Sequence, residues 1–371
     1  MPKGKAQDKL REIKRNHIFN LIANNKDLSK LDIKRLCGYS MTSVISIIDE
    51  LTNADLITAV DSGISSGGRP PVMININKDG GHIIGIDWSR QSICCAIYNL
   101  SRERIYYIKE TTENIITIKA FLDRLIVVIT NAIKAVSGII RSFKLLGIGI
   151  GVPGYIDDNK GTVSRYIYID DYKDVPVKDI LTKHFKVPVF LENNVNAMAL
   201  GYKWLRKEGN AKSLLVIAVR RGVKAGIILN NQLIKGANDS AGEIGNLKAF
   251  PEGEITSKSG NTYEEILSDY TVINNTKSIK AANEIIGLAE KGDKFSILYL
   301  NELADVMAKL LNYAIALINP ETILLSGGYA GSEYFLNLIR KRVNGNILGG
   351  SGEELGTIGA SGLVIEKLFS Y

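Results

Sequence analysis

Apolar and polar positions follow different periods along this chain, and the changes of period divide it. Over 8–24 the apolar residues Leu10, Ile13, Ile18, Leu21 and Ile22 fall mostly on one helical face, and Asn24 and Asn25 end the pattern. A short second helix is predicted for SKLDIKRLC. Ser29 caps it, Asp32 supplies a favourable first-turn charge, Ile33 and Leu36 face inward, and Lys30, Lys34 and Arg35 face outward. Gly38 supplies a tight turn. Ser40 then caps a third helix from Met41 to about Asn53, with Val44, Ile47, Ile48 and Leu51 as its buried stripe at i, i+3, i+4 and i+7. Thr42, Ser43 and Ser46 are left on its open face. Two β-runs, LITAV (56–60) and RPPVMININ (69–77), flank a Gly/Ser-rich tip, DSGISSGG (61–68).

From His82 the rhythm becomes α/β. HIIGIDW and SICCAIYNL read as buried strands and RERIYYIKETT as a third. IKAFLDRLIVVITNAIKAV reads as a helix, and KLLGIGIGVPG as a strand entering a glycine-rich turn. That turn holds Gly149, Gly151 and Gly154 at the spacing of a dinucleotide fingerprint. The fingerprint requires a helix to begin at the turn, and Pro153 with the turn-prone DDNKG argues against one, so the match is rejected.

Length and charge sharpen this division. The 371 residues exceed one ordinary core, so two or three packed units are expected. Residues 1–35 carry ten Lys/Arg against four Asp/Glu, which puts +6 of the chain's net +7 in about a tenth of its length. A basic end on a nearly balanced chain fits a polyanionic partner; a solvated basic tail has the same composition. No apolar run reaches the ~18 residues needed to span a bilayer. The charged opening MPKGKAQDKLREIKRN lacks an apolar signal segment, so a cytoplasmic location without membrane association is expected. Cys37, Cys94 and Cys95 form no C-x-x-C pair and read as reduced thiols, and the three histidines lie too far apart for metal-ligand spacing.

Helix, glycine turn, capped helix and a two-stranded wing make a winged helix-turn-helix, whose second helix can lie in a major groove. Lys30, Lys34, Arg35, Ser40, Thr42, Ser43 and Ser46 are its candidate DNA contacts. Arg69, in the run Gly67-Gly68-Arg69-Pro70, suits a narrow minor groove, although the same composition describes a domain linker.

LSKLDIKRLCGYSMTSVISIIDELTNADLI followed by SSGGRPPV resembles the DNA-binding domain of ROK-family repressors. The remainder resembles the ROK kinase domain in five ordered segments: GIGIGVPGYID, PVFLENNVNAMALGY, GANDSAGEIGN, NPETILLSGG and LGTIGASGLVIEKLF. The resemblance implies an α/β chain: an N-terminal winged helix-turn-helix (1–80), then a two-lobed actin-like (ribonuclease H-like) sugar-kinase fold. Its first lobe is expected over 81–200 plus 357–371. The second, with a dimerisation surface, is expected over 201–356.

The same resemblance implies lost chemistry. Asn194 stands where the kinases carry the aspartate that takes a proton from the sugar hydroxyl, and an amide cannot take one. Asp87-Trp88-Ser89-Arg90-Gln91 and Arg220-Arg221-Gly222-Val223-Lys224 replace the two glycine-rich phosphate loops, with Arg220, Arg221 and Lys224 read as exposed cations. At the zinc motif stand Asn246 and, near the cysteine positions, Ser257, Ser259 and Thr262, which are poor zinc ligands. No zinc, ATP or other cofactor is therefore expected. Asn193, Asn194, Glu243, Asn246 and Glu264 match the family's sugar-binding positions. They would hold a sugar or sugar-phosphate effector, or else only brace the turns. The expected function is a transcriptional regulator, by default a repressor, acting as a homodimer or dimer of dimers on an operator in double-stranded DNA. A sugar kinase with an accessory DNA-binding domain and a ligand-free DNA-binding scaffold are the alternatives.

Overall fold

A computed structural model describes residues 3–61, 72–89, 91–112, 115, 117–157, 160–164, 173–205, 212–250 and 260–368. Its packing divides into two compact units, Met1–Glu192 with Ala360–Tyr371, and Asn193–Gly359.

The first unit begins with α1 (Lys3–Asn24), β1 (Leu28–Ser29), α2 (Lys30–Cys37), α3 (Met41–Asn53), β2 (Ile57–Asp61) and β3 (Val72–Ile76). Local chemistry sets each boundary. The Ser29 hydroxyl accepts from the Asp32 amide at 3.2 Å while the Asp32 carboxylate accepts from the Ser29 amide at 3.1 Å, a reciprocal capping box. Gly38 ends α2 in the left-handed region, at φ 73°. Ser40 caps α3 by accepting from the Ser43 amide at 3.3 Å. Val44, Ile47, Ile48 and Leu51 are all buried, as their spacing predicts.

Three sequence expectations change here. Leu10 is 52% exposed, and the packed part of α1 is its C-terminal half, through Ile18, Phe19 and Ile22. Leu36 is 53% exposed rather than inward. Three residues leave a helical position about 60° short of a full turn, and in this short helix that rotation carries Leu36 off the stripe led by Ile33. The wing is also three-stranded, in the order β1-β3-β2, because Leu28 and Ser29 pair antiparallel with Ile74 and Met73. Arg69 and the tip, 62–71, lie outside the described residues.

The rest of this unit comprises β4 (His82–Trp88), β5 (Ser92–Asn99), β6 (Arg104–Thr111), α4 (Ile118–Ser137), β7 (Leu145–Val152), β8 (Tyr155–Asp157), β9 (Thr162–Ser164), α5 (Val177–Phe185) and β10 (Val189–Asn193). Its main sheet has the order β10-β7-β4-β5-β6, with β4 and β7 parallel and β4-β5-β6 antiparallel. β4 and β5 are buried throughout, whereas β6 is an edge strand with alternating exposure. α4 packs Phe121, Leu125, Val128 and Ile129 against the sheet. After β7 the glycine-rich turn leads into β8, not into the helix that a dinucleotide fingerprint needs. Gly149 has a packing reason: a Cβ there would lie 1.8 Å from the Ala360 carbonyl.

The second unit contains α6 (Asn194–Leu205), β11 (Ser213–Val219), β12 (Val223–Leu229), β13 (Gln232–Leu233), α7 (Tyr263–Leu267), α8 (Asp269–Thr276), α9 (Glu284–Glu290), α10 (Lys294–Ile318), β14 (Thr322–Gly327), α11 (Glu333–Arg340), β15 (Ile347–Gly349) and the start of α12 (Gly352–Leu368). The sheet order is β13-β12-β11-β14-β15, with β11, β14 and β15 parallel and β12 antiparallel to β11. Its larger core joins Leu215, Ile217, Ile323 and Leu325 of the sheet to Leu303, Met307 and Leu311 of α10. On the opposite sheet face Leu214, Val216 and Leu324 meet Val195, Met198 and Ala199 of α6. The packing assigns α6 to this unit.

Candidate functional site

The candidate positions fall into two groups of polar residues, one in each unit. On α3, Thr42 and Ser46 are exposed and Ser43 is half-buried. The Ser40 hydroxyl lies 2.9 Å from that of Ser43, so these two are engaged in capping the helix. Lys34 and Arg35 are exposed on α2, and Lys30 is half-buried. Exposed Met41 and Ile45 add apolar groups to α3.

The tertiary structure adds residues that the sequence did not single out. Arg11 of α1 donates to Glu50 at 3.2 Å and to the Ser46 hydroxyl at 3.4 Å, and Arg15 donates to Glu50 at 3.3 Å. His17 Nδ1 and the Tyr39 hydroxyl lie 2.9 Å apart, and the Lys14 ammonium sits 5.4 Å from the Tyr39 ring centroid. α1 therefore holds α3 near both ends, through Tyr39 before its cap and Glu50 in its last turn. Burial lowers the pKa of His17, so the imidazole facing Tyr39 is neutral at pH 7. A basic i, i+4 pair, Arg11 and Arg15, was the available signal, but nothing local names Glu50 as its partner.

The five positions tied to a sugar lie in the second unit. Asn193 and Asn194 are buried where β10 passes into α6, and Asn193 Oδ1 accepts from the Val195 amide at 3.0 Å. Consecutive residues of β12 gather the segments. The Ala225 amide donates to the Gly242 carbonyl at 2.8 Å, and a Cβ on Gly226 would lie 2.6 Å from the Val195 carbonyl. Glu243 follows Gly242 and begins a single 3₁₀ turn, Ile244–Asn246. Asn246 is exposed. The Glu264 carboxylate accepts from the Val223 amide at 3.1 Å. Burial raises the Glu264 pKa, that backbone bond opposes the rise, and the nearby charge of Glu243 adds to it.

Lys224 corrects the reading of it as an exposed cation. Its side chain is 13% exposed and its ammonium lies 2.6 Å from the Glu243 carboxylate. Lys224 thus faces the Glu243 carboxylate, whose charge in turn bears on Glu264. The segments read as altered phosphate loops are tight hairpins. Trp88 ends β4 fully buried against Phe121, with ring centroids 4.1 Å apart, and the Ser89 amide donates to the Ser92 carbonyl at 2.9 Å. The Arg220 amide donates to the Gly222 carbonyl at 2.9 Å. Arg90, Ser257 and Ser259 lie outside the described residues. The Thr262 hydroxyl caps α7 by accepting from the Glu265 amide at 3.2 Å.

Asp269 is a further group that local pattern could not reveal. It is buried, its amide donates to the Arg220 carbonyl at 2.8 Å, and burial pushes its pKa up to about 7 against the opposing charge of Arg220.

The sequence profile of the ROK family matches residues 83–363. The chain belongs to the ROK family. The profile leaves the helix-turn-helix and wing in front of it. The chain is 29% identical over 362 residues to a xylose repressor of Caldicellulosiruptor bescii, covering 90% of this chain and 88% of that one. A crystal structure of a ROK family transcriptional regulator, a homologue of the Escherichia coli MLC protein, superposes with a TM-score of 0.81 at 20% identity, covering 97% of both chains. A ROK glucokinase from Streptomyces griseus, solved with glucose and AMPPNP, gives 0.63 at 25% identity, covering 76% of this chain and 99% of its own. The regulator thus shares the fold over nearly the whole ROK chain, and the kinase over about three quarters of it. Among the described residues no helix is long and apolar enough to cross a membrane.

Proposed function

We infer that this ROK protein is a DNA-binding transcriptional repressor responsive to a sugar. The observation that carries the reading is the capped helix-turn-helix with its wing, set ahead of a ROK domain and matched end to end by a regulator fold. Thr42 and Ser46 of α3 reach base edges, while Lys30, Lys34, Arg35 and Arg69 contact phosphates or the minor groove. Ser40 and Ser43 act through the cap that orients the helix. A homodimer is the working assembly, since two recognition helices about one helical turn apart match a two-fold operator.

Asn193, Asn194, Glu243, Asn246 and Glu264 form the effector group, a hydrogen-bonding set suited to a polyol. Xylose, the sugar in the name of the bacterial relative, is the first effector to try. Glu243 meets it already paired with Lys224, so the effector must donate to that carboxylate and accept from that ammonium, or displace the pair. The zinc of the kinases does not fit the residues present: Asn246 offers an amide, and the Thr262 hydroxyl is committed to capping α7. Asn194 supports a domain that senses rather than phosphorylates.

Likeness to a glucokinase favours one second reading, a sugar kinase carrying a DNA-binding domain. Two measurements separate them. Selection from a random duplex library should enrich a defined site, bound with affinity that falls steeply with salt. A phosphate-transfer assay over pentoses, hexoses and amino sugars should give no turnover. Absence of any preferred duplex at low salt would overturn the repressor reading, and turnover abolished by Glu243→Ala would establish the kinase.

A further inference from the structure

We propose that Met41 and Ile45 are specificity-determining residues of α3, which recognise thymine by its 5-methyl group in the major groove. This rests on the DNA-binding reading above. The core of the helix is complete without them: Val44, Ile47, Ile48 and Leu51 are buried. Met41 and Ile45 are 37% and 38% exposed, so each leaves a large apolar surface in water. Four residues apart, they lie one above the other in the first two turns after the Ser40 cap. Those are the turns that meet base edges when a recognition helix enters the groove.

The residues around the pair narrow what it can read. The α3 sequence MTSVISIIDELTN has no lysine or arginine, the side chains that pair with both acceptors of guanine. Arg11 of α1 donates to the Ser46 hydroxyl at 3.4 Å, but its guanidinium is held by Glu50 at 3.1 Å. Thr42 and Ser46 are exposed and bring hydroxyls that bond to any base. Asp49, exposed one turn past Ile45, repels phosphate and leaves base contact to the first two turns. The apolar pair is what remains to tell one base from another, and the apolar group that a major-groove edge offers is the thymine methyl. The two side chains meet it differently. Ile45 is branched at Cβ and stiff in a helix, so its methyl surface is fixed before DNA arrives. Met41 is unbranched and adapts to the base step beside it.

The test offers the full chain a random duplex library and then replaces each thymine of the enriched site, in turn, by deoxyuridine, which lacks only the methyl. Binding is followed by fluorescence anisotropy at fixed salt. Loss of a contacted methyl should weaken binding about fourfold, the worth of one buried methyl or methylene group. In Met41→Ala or Ile45→Ala, whichever removes the partner of that methyl, the deoxyuridine penalty should fall to nearly nothing, because protein and DNA changes that touch the same contact do not add. Ile45→Val, which keeps the branch, should retain most of the penalty and serves if Ile45→Ala folds poorly. An enriched site without thymine, no deoxyuridine penalty at any position, or a penalty of equal size in wild type and both alanine variants would overturn the proposal. A change in the oligomeric state of either variant without DNA, read by sedimentation, would also overturn it, since the pair would then be a protein contact. If no duplex is enriched, the repressor reading fails and this proposal with it; an enriched site indifferent to deoxyuridine overturns this proposal alone.

Discussion

The helix-turn-helix and the polar end of β12 are both built from short polar side chains, yet by opposite routes. In the first, the turns and caps are set over a few residues, Ser29 with Asp32, Gly38 with Lys34 and Ser40 with Ser43, and the longer-range grip of α1 on Glu50 and Tyr39 is added to helices already bounded. In the second, Lys224 meets Glu243 and Val223 meets Glu264 across 19 and 41 residues. Short-range bonds form with little loop-closure entropy and tolerate change elsewhere; the long-range cluster exists only once the sheet has closed. The helix-turn-helix is thereby bounded locally, and the polar end of β12 depends on the whole second unit.

The sharpest way to break this contrast is to empty the core on which the local bonds rest. Leu51→Ala, at the end of the α3 stripe, should cost about 2–5 kcal/mol in chemical denaturation and abolish binding to a selected duplex. If duplex binding survives undiminished, α3 is held by its caps rather than its core.

Lys224→Ala should cost about 1–3 kcal/mol, because it leaves Glu243 beside Glu264 with no neutralising cation. The Glu264 pKa should rise further, readable by carboxyl NMR, with α1–α3 unaffected.

Asp269 gives a pH signature to the second unit alone. Its folded pKa of about 7 exceeds the usual 3.8, so between these values the folded state holds a proton that the unfolded state releases. Stability should be highest in acid and fall as pH rises from about 4 to about 7, with a slope approaching about 1.4 kcal/mol per pH unit, and Asp269→Asn should flatten that slope. His17 runs the other way. Burial lowers its pKa, so the folded state disfavours the charged imidazole, and stability declines as pH falls below about 6.5. Opposite slopes in melts followed by exchange at α1 and at α8 would separate the two regions.

The smallest effect is the most local. Ser40→Ala should cost about 1 kcal/mol and weaken duplex binding through the position of α3, whereas Ser46→Ala should leave stability nearly unchanged and alter base preference. Equal losses of stability would erase the distinction between capping and reading residues.

Helices, caps, the Gly38 turn, the buried stripe of α3 and the strands β4, β5 and β7 were legible in the sequence, because each depends on periodicity or on chemistry within one turn. The errors share one cause. Leu10 lies on a nominally apolar face that only packing in the folded chain shows to be uncovered, and Leu36 is turned off the stripe led by Ile33. The third wing strand is two residues long and pairs with residues over forty positions away, too short to leave a periodic trace. Lys224 looked like any charged residue at a turn because its partner follows a separate strand and loop.

What the sequence determined unaided is the set of local units: which segments are helical or extended, where each stops, and the polar residue types offered by the second unit. Hydrogen bonds to near neighbours and the exclusion of apolar stripes from water suffice for that. Only the tertiary structure decided which charges meet, that Glu243 is bound to Lys224, that Asp269 is buried beside Arg220, and that Arg11 and Arg15 find Glu50. Those pairings depend on desolvation and on contacts between distant segments, and neither exists until the chain has packed.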